Sequence, residues 1–263
     1  MTLKHSSKGV MMPDFRMLIG RGFEKTGAFI HKSDDKSFFA AIDFKTLQRA
    51  GAAEITHWEN VLREYLNFYA EQLFRTMKGQ MDLAEVGKVI RAAWEMRGRS
   101  AFVFMMEGHP RALTDSGSLK FLAGVGHVRA NSDEELLPSD MDGLMMPRSE
   151  MKGLEIGRLC LCPNIHVSEK KGVIHELLKL YVPVLSRDLD FRAMSLRTSK
   201  RHRRYYQDVF SAYLHRDKEF FLAGDRDVIL QIDPETLRPH RSLRVEATGR
   251  PLSLSESLSP DAA

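Results

Sequence analysis

Cysteine is nearly absent: Cys160 and Cys162 are the only two in 263 residues. Two positions apart in a strand-like run, they would point to one face and could not close a relaxed disulfide. Nothing nearby completes a zinc-ligand spacing, so they read as small buried hydrophobes and no metal is expected. No apolar run approaches the ~20 residues needed to cross a bilayer, so no transmembrane segment is expected. The opening MTLKHSSKGVMMPDF also lacks the continuous apolar stretch of a secretory signal, which predicts a soluble, cytoplasmic protein. Charge of one sign is scarce as well. Thirty-nine Lys and Arg against 35 Asp and Glu leave a net +4, which permits an acidic partner without choosing one. The Gly-x-Ser-x-Gly elbow, the P-loop, His-Glu-x-x-His and a full dinucleotide fingerprint are all missing, and no internal repeat is visible.

What is present is a chain patterned as α/β. Residues 1–36 hold polar patches around GAFI and read as a flexible arm with an early strand; 37–238 read as one domain, and 239–263 as a disordered tail. Ser37 to Phe44 is strand-like. Trp58, Val61, Leu62, Tyr65, Leu66, Tyr69, Leu73 and Met77 recur at spacings of three and four, which predicts a helix over 55–78. Asp82 caps a second helix that Gly98 closes. Ala101–Glu107 and Leu119–Val128 should pair antiparallel across a polar loop. Residues 131–150 read as an excursion with one helical turn and a methionine cluster, Met141, Met145, Met146 and Met151, that serves either a variable apolar ligand or ordinary gap filling.

The stretch from Gly153 to Tyr206 organises the rest. It reads as strand, loop, helix, strand and a basic, tyrosine-bearing helix, and its strand-to-helix joint offers free backbone N–H groups suited to a phosphate. Two final strands follow, joined at GDRD.

That order resembles the GCN5-related N-acetyltransferase fold, which implies a mixed, mostly antiparallel sheet flanked by helices. Two motifs are more specific. Glu155-Ile156-Gly157-Arg158 is similar to the Glu-x-x-Arg signature of acyl-homoserine-lactone synthases, N-acyl amino acid synthases and ornithine N-acyltransferases. Ser199 to Tyr206, SKRHRRYY, is similar to the Asn-Pro-x-His-x-x-Phe-Tyr segment of the N-acyl amino acid synthases. The resemblance covers roughly 101–233. The loop Glu169 to Ile174, EKKGVI, departs from the usual Gln/Arg-x-x-Gly-x-Gly/Ala pattern, and no Arg-x-x-Val-Phe motif occurs in the first hundred residues.

The resemblance implies transfer of an acyl group, including a long one, to a primary amine such as an amino acid. The donor is acyl-CoA or acyl-phosphopantetheine on acyl carrier protein, with no permanently bound cofactor. Glu155 would orient or deprotonate the amine and Tyr206 would protonate the leaving thiolate. Arg158 and His202 would belong to the acyl and acceptor site, while Lys170, Lys171, Gly172 and Val173 would face the donor phosphate. Glu155 and Arg158 read equally well as a pair bracing the sheet, and they share a cleft only if the strand bulges or splays. Lys200, Arg201, Arg203 and Arg204 fit an acidic carrier protein, whereas nucleic acid would call for further basic clusters interleaved with aromatics. Two other readings stay open: an acetyl-CoA-dependent acetyltransferase, and a degenerate fold that binds without catalysing.

Overall fold

A computed structural model describes residues 26–33, 36–77, 81–114, 118–132, 134–141, 153–191, 193–221 and 227–241. Its frame is an eight-stranded sheet in the order β1-β2-β3-β4-β5-β6-β8-β7. The strands are β1 Ala28–Lys32, β2 Ser37–Asp43, β3 Ser100–Glu107, β4 Phe121–Ala130, β5 Gly153–Leu161, β6 Ala193–Ser199, β7 Leu214–Phe221 and β8 Asp227–Ile232. All neighbouring pairs are antiparallel except β5 with β6, which run parallel. This is the mixed, mostly antiparallel α/β architecture expected from the sequence.

The early strand expected within the arm is present, followed by the strand from Ser37. The GAFI piece inside the expected arm forms β1 on the sheet edge, because its backbone finds ladder partners on β2 from Ala28↔Ile42 to Lys32↔Phe38. Residues 1–25 and 242–263 lie outside the described residues, as do Met145, Met146 and Met151. Arg238–Arg241, at the start of the expected tail, is a short helix.

Short helix α1, Phe44–Leu47, follows β2, with Asp43 accepting from the Lys45 N–H. Helix α2, Ala52–Thr76, buries Trp58, Val61, Leu62, Tyr65 and Leu66, the predicted stripe. Helix α3, Leu83–Glu95, starts with a full capping box between Asp82 and Glu85. It ends at Met96 in a 3₁₀ turn that contains Gly98, so that glycine does not close it. Pro138–Met141 forms α4, a single turn, and Val167–Leu185 forms α5. Arg203–Phe210 forms α6.

The sheet has two buried faces. One packs Leu154, Ile156, Met194 and Leu196 against Ile174, Leu177 and Tyr181 of α5. The other packs Phe38, Phe102, Phe104 and Cys160 against Trp58, Leu62 and Tyr65 of α2. A polar brace crosses the α5 side. Arg129 on β4 donates to both oxygens of Asp188, at 2.8 and 2.9 Å, and to Asp43 Oδ1 at 2.9 Å. His127 bridges Asp188 Oδ2 at 3.0 Å and the Tyr181 hydroxyl at 3.2 Å. Burial alone would raise the Asp188 pKa, but the His127 hydrogen bond and the Arg129 charge outweigh it and hold the carboxyl far below its ordinary value. Burial keeps His127 below its ordinary value.

Candidate active site

The sheet opens between β5 and β6. Their parallel pairing runs from Gly153↔Ala193 to Ile156↔Leu196 and stops there, although β5 continues to Leu161 and β6 to Ser199. On its other side β5 stays joined to β4, but with a shifted register: Gly126 faces Gly157 and Gly124 faces Cys160. Arg158 and Leu159 therefore stand opposite the single residue Val125, a β-bulge. Arg158 takes φ +56°, the left-handed region that a side chain rarely adopts.

The bulge decides which way Arg158 points. In a regular strand it would face α5, opposite to Glu155. Instead its guanidinium lies over the Phe102 ring, 5.9 Å from the centroid, and Phe102 belongs to the α2 face. Glu155 sits on that face too, opposite Val128, and its Oε2 accepts from the Ser139 N–H of α4 at 2.8 Å. The two residues thus share one side of the sheet, as the sequence required of a joint site. They are not a tight pair: among the described residues no carboxylate forms an ion pair with Arg158. Burial raises the Glu155 pKa, against the Ser139 bonds and the charges of Arg197 and Arg158. Burial lowers that of Arg158, countered by Tyr69 and Glu155.

Tyr206 sits at the split. Its ring stacks on Phe210 at 6.4 Å within the α5-side cluster, yet its phenol feels Tyr69 of α2 and Cys160 of β5, which belong to the other side. Burial, then Tyr69, hold the phenol well above its ordinary value, so it stays protonated at neutral pH. Among the described residues nothing hydrogen-bonds its hydroxyl. Tyr205 packs edge-on against it at 5.7 Å.

The other expected residues fall differently. Lys170, Lys171, Gly172 and Val173 are not at the strand-to-helix joint but inside α5, which already begins at Val167. His166 caps it, accepting from the Ser168 N–H, and the N–H groups of Glu169 and Lys170 turn back onto the His166 carbonyl. Gly172 is exposed in the second turn, with open space where a Cβ would go. A helix-interior glycine costs only about 1 kcal/mol, which the apolar stripe that follows outweighs. These four residues therefore do not form the joint that would cradle a phosphate. His202 lies in the turn after β6, with Nδ1 3.0 Å from Ser199 Oγ. Lys200 and Arg204 are exposed and Arg203 is half-buried.

Four contributors escaped the sequence reading. Arg197, on β6 just past the split, is half-buried and acts electrostatically on Glu155; a charge inside AMSLRTS was its signal. Tyr65, read there only as core, donates its hydroxyl to the Arg158 carbonyl at 2.5 Å. Gly124 and Gly126, two glycines within one strand, mark close approach: a Cβ at either would meet the Tyr65 or Phe102 ring at 2.3 or 2.4 Å.

No family model matches the chain. No curated protein matches it either. Solved structures do. FeeM, an N-acyl amino acid synthase from uncultured soil microbes, is 8% identical over 68% of this chain and 88% of its own, with a TM-score of 0.46. An uncharacterized Bacillus halodurans protein is 11% identical over 82% and 95%, at 0.46. MesI, a CoA-dependent acyl-homoserine lactone synthase, is 14% identical over 80% and 93%, at 0.41.

Proposed function

We propose that this chain is an N-acyltransferase that moves an acyl group from a thioester of CoA, or of a carrier-bound phosphopantetheine, to a primary amine such as an amino acid. The observation that carries this reading is the open split between β5 and β6, with Glu155 and Arg158 on one side of the sheet and Tyr206 packed on Phe210 in the α5-side cluster. An acyl donor laid in the gap would run between the two strands past the end of their shared ladder. The amine nitrogen attacks the thioester carbonyl, the C–S bond breaks and an amide forms. Glu155, its basicity raised by burial, takes the amine proton directly or through a water. Tyr206, still protonated, gives its proton to the departing thiolate and is restored from solvent. Arg158, held without a carboxylate partner among the described residues, suits the carboxylate of an amino-acid acceptor. Lys200 and Arg204, both exposed, carry the positive charge that an acidic carrier protein would meet in the 200–204 run.

A second reading is a catalytically degenerate fold used as a binding or regulatory module. It draws on the start of α5, where Glu169 occupies the first turn and the exposed Val167 opens the helix. An acid there opposes a phosphate.

The test is to incubate the protein with acetyl-CoA or octanoyl-CoA and a mixture of amino acids, following thiol release and acylated products by mass spectrometry. Acylated amine supports the proposal, and the preferred chain separates an acetyltransferase from a long-chain enzyme. Finding neither donor binding nor product would favour the second reading. Tyr206→Phe is expected to lower kcat on the order of 100-fold; unchanged turnover would remove it as the acid.

A further inference from the structure

The bulge at Arg158 leaves a local debt in the sheet. Two residues of β5 face one of β4, so a backbone group loses its ladder partner, and the left-handed φ adds strain of about 1 kcal/mol or more. The Tyr65 hydroxyl meets the bulge there, donating to the Arg158 carbonyl at 2.5 Å from a helix 93 positions away in sequence. Tyr65 has no freedom to do anything else. It is fully buried, its ring packs on Phe104 at 4.7 Å and Phe121 at 5.4 Å, and its edge fills the space that a Cβ on Gly124 would need. The neighbouring Phe102, over which the Arg158 guanidinium lies, is seated in the same manner on Gly126. Burial keeps the Tyr65 phenol protonated, so it donates throughout the neutral range.

We propose that Tyr65 is a positioning residue: through the Arg158 carbonyl it holds the bulge that turns the Arg158 guanidinium onto the face of Glu155. Its role in turnover rests on the acyltransfer reading above, whereas its hold on the bulge does not. Gly124 belongs to the same device, because only a residue without a Cβ admits the ring at this depth.

Tyr65→Phe removes the hydroxyl and keeps the ring. In carbon- and nitrogen-labelled protein, the Arg158 backbone chemical shifts report the left-handed φ without any substrate. They are expected to move toward extended-strand values in Tyr65→Phe while the rest of the sheet keeps its shifts. With octanoyl-CoA and the amino-acid mixture, kcat should fall on the order of 10-fold with KM for the thioester unchanged. Tyr65→Phe combined with Arg158→Lys should be no slower than Arg158→Lys alone, since both act through one guanidinium. Unchanged Arg158 shifts would overturn the proposal, and so would additive losses in the double variant. If the wild-type protein transfers no acyl group, the function above fails and the shifts alone decide whether Tyr65 holds the bulge.

Discussion

Asp188→Asn should be among the costliest single-atom changes in this fold. Arg129 is 3% exposed and its two carboxylate partners, Asp43 and Asp188, are 9% and 12% exposed, so the charges are compensated inside the protein and not by water. Asp188 takes two of the three carboxylate bonds to Arg129 and also the His127 bond. Asparagine keeps one acceptor oxygen but turns an N–H group toward a guanidinium that is itself all donors. Breaking a buried pair in this way costs about 3–5 kcal/mol, and the retained oxygen and Asp43 place the expectation near ~3. In a chain of this size each kcal/mol moves Tm by about 2–4 °C, so the loss should be about 6–12 °C. Thermal and urea unfolding at pH 7 measure it. The pH dependence has a definite sign. The folded pKa of Asp188 is depressed, so its stabilisation is complete above the unfolded value near ~4 and disappears as pH falls through the folded one. Wild type and Asp188→Asn should therefore converge in acid. A penalty below about 1 kcal/mol at neutral pH, or one that persists unchanged in strong acid, would refute the assignment of this brace.

Other outcomes follow from the site. Glu155 has a raised folded pKa, so the acid limb of the transfer rate should lie above the ordinary carboxylate value of ~4.3, and Glu155→Gln should abolish the limb with the activity. The same sign means that ionised Glu155 costs the fold stability at neutral pH, so Glu155→Gln should melt at or above wild type; a large drop in Tm would mark Glu155 as a structural brace. Burial pushes the Cys160 thiol up to about 12, so a thiol reagent at pH 8 should leave it untouched in the native protein and react with both cysteines only in denaturant. Rapid native modification of both would show that the β5 interior is open.

Local pattern was enough for much of this chain. The three-and-four spacing of α2, the capping box at Asp82 and the antiparallel partners around the 108–120 loop follow from periodicity and turn chemistry, which act over a few residues. The choice of Glu155, Arg158 and Tyr206 as the residues to watch came instead from the resemblance of their motifs to those of N-acyltransferases. Their relation to one another did not. Glu155 and Arg158 fall on opposite faces by strand alternation, and only a bulge that exists because β4, β5 and α2 meet there brings them together. Arg158 is turned by a hydroxyl from Tyr65, which in sequence is one more residue of an apolar stripe. Lys170, Lys171, Gly172 and Val173 lie inside α5 because packing of its apolar side on the sheet carries the helix across Gly172, a residue that local propensity disfavours there. Arg129 and Asp188, 59 positions apart, carry no local signal of each other at all. The sequence by itself determined most of the elements that form, because periodicity and capping act over a few residues; burial, register and the split between two strands, all long-range, decided which side chains meet.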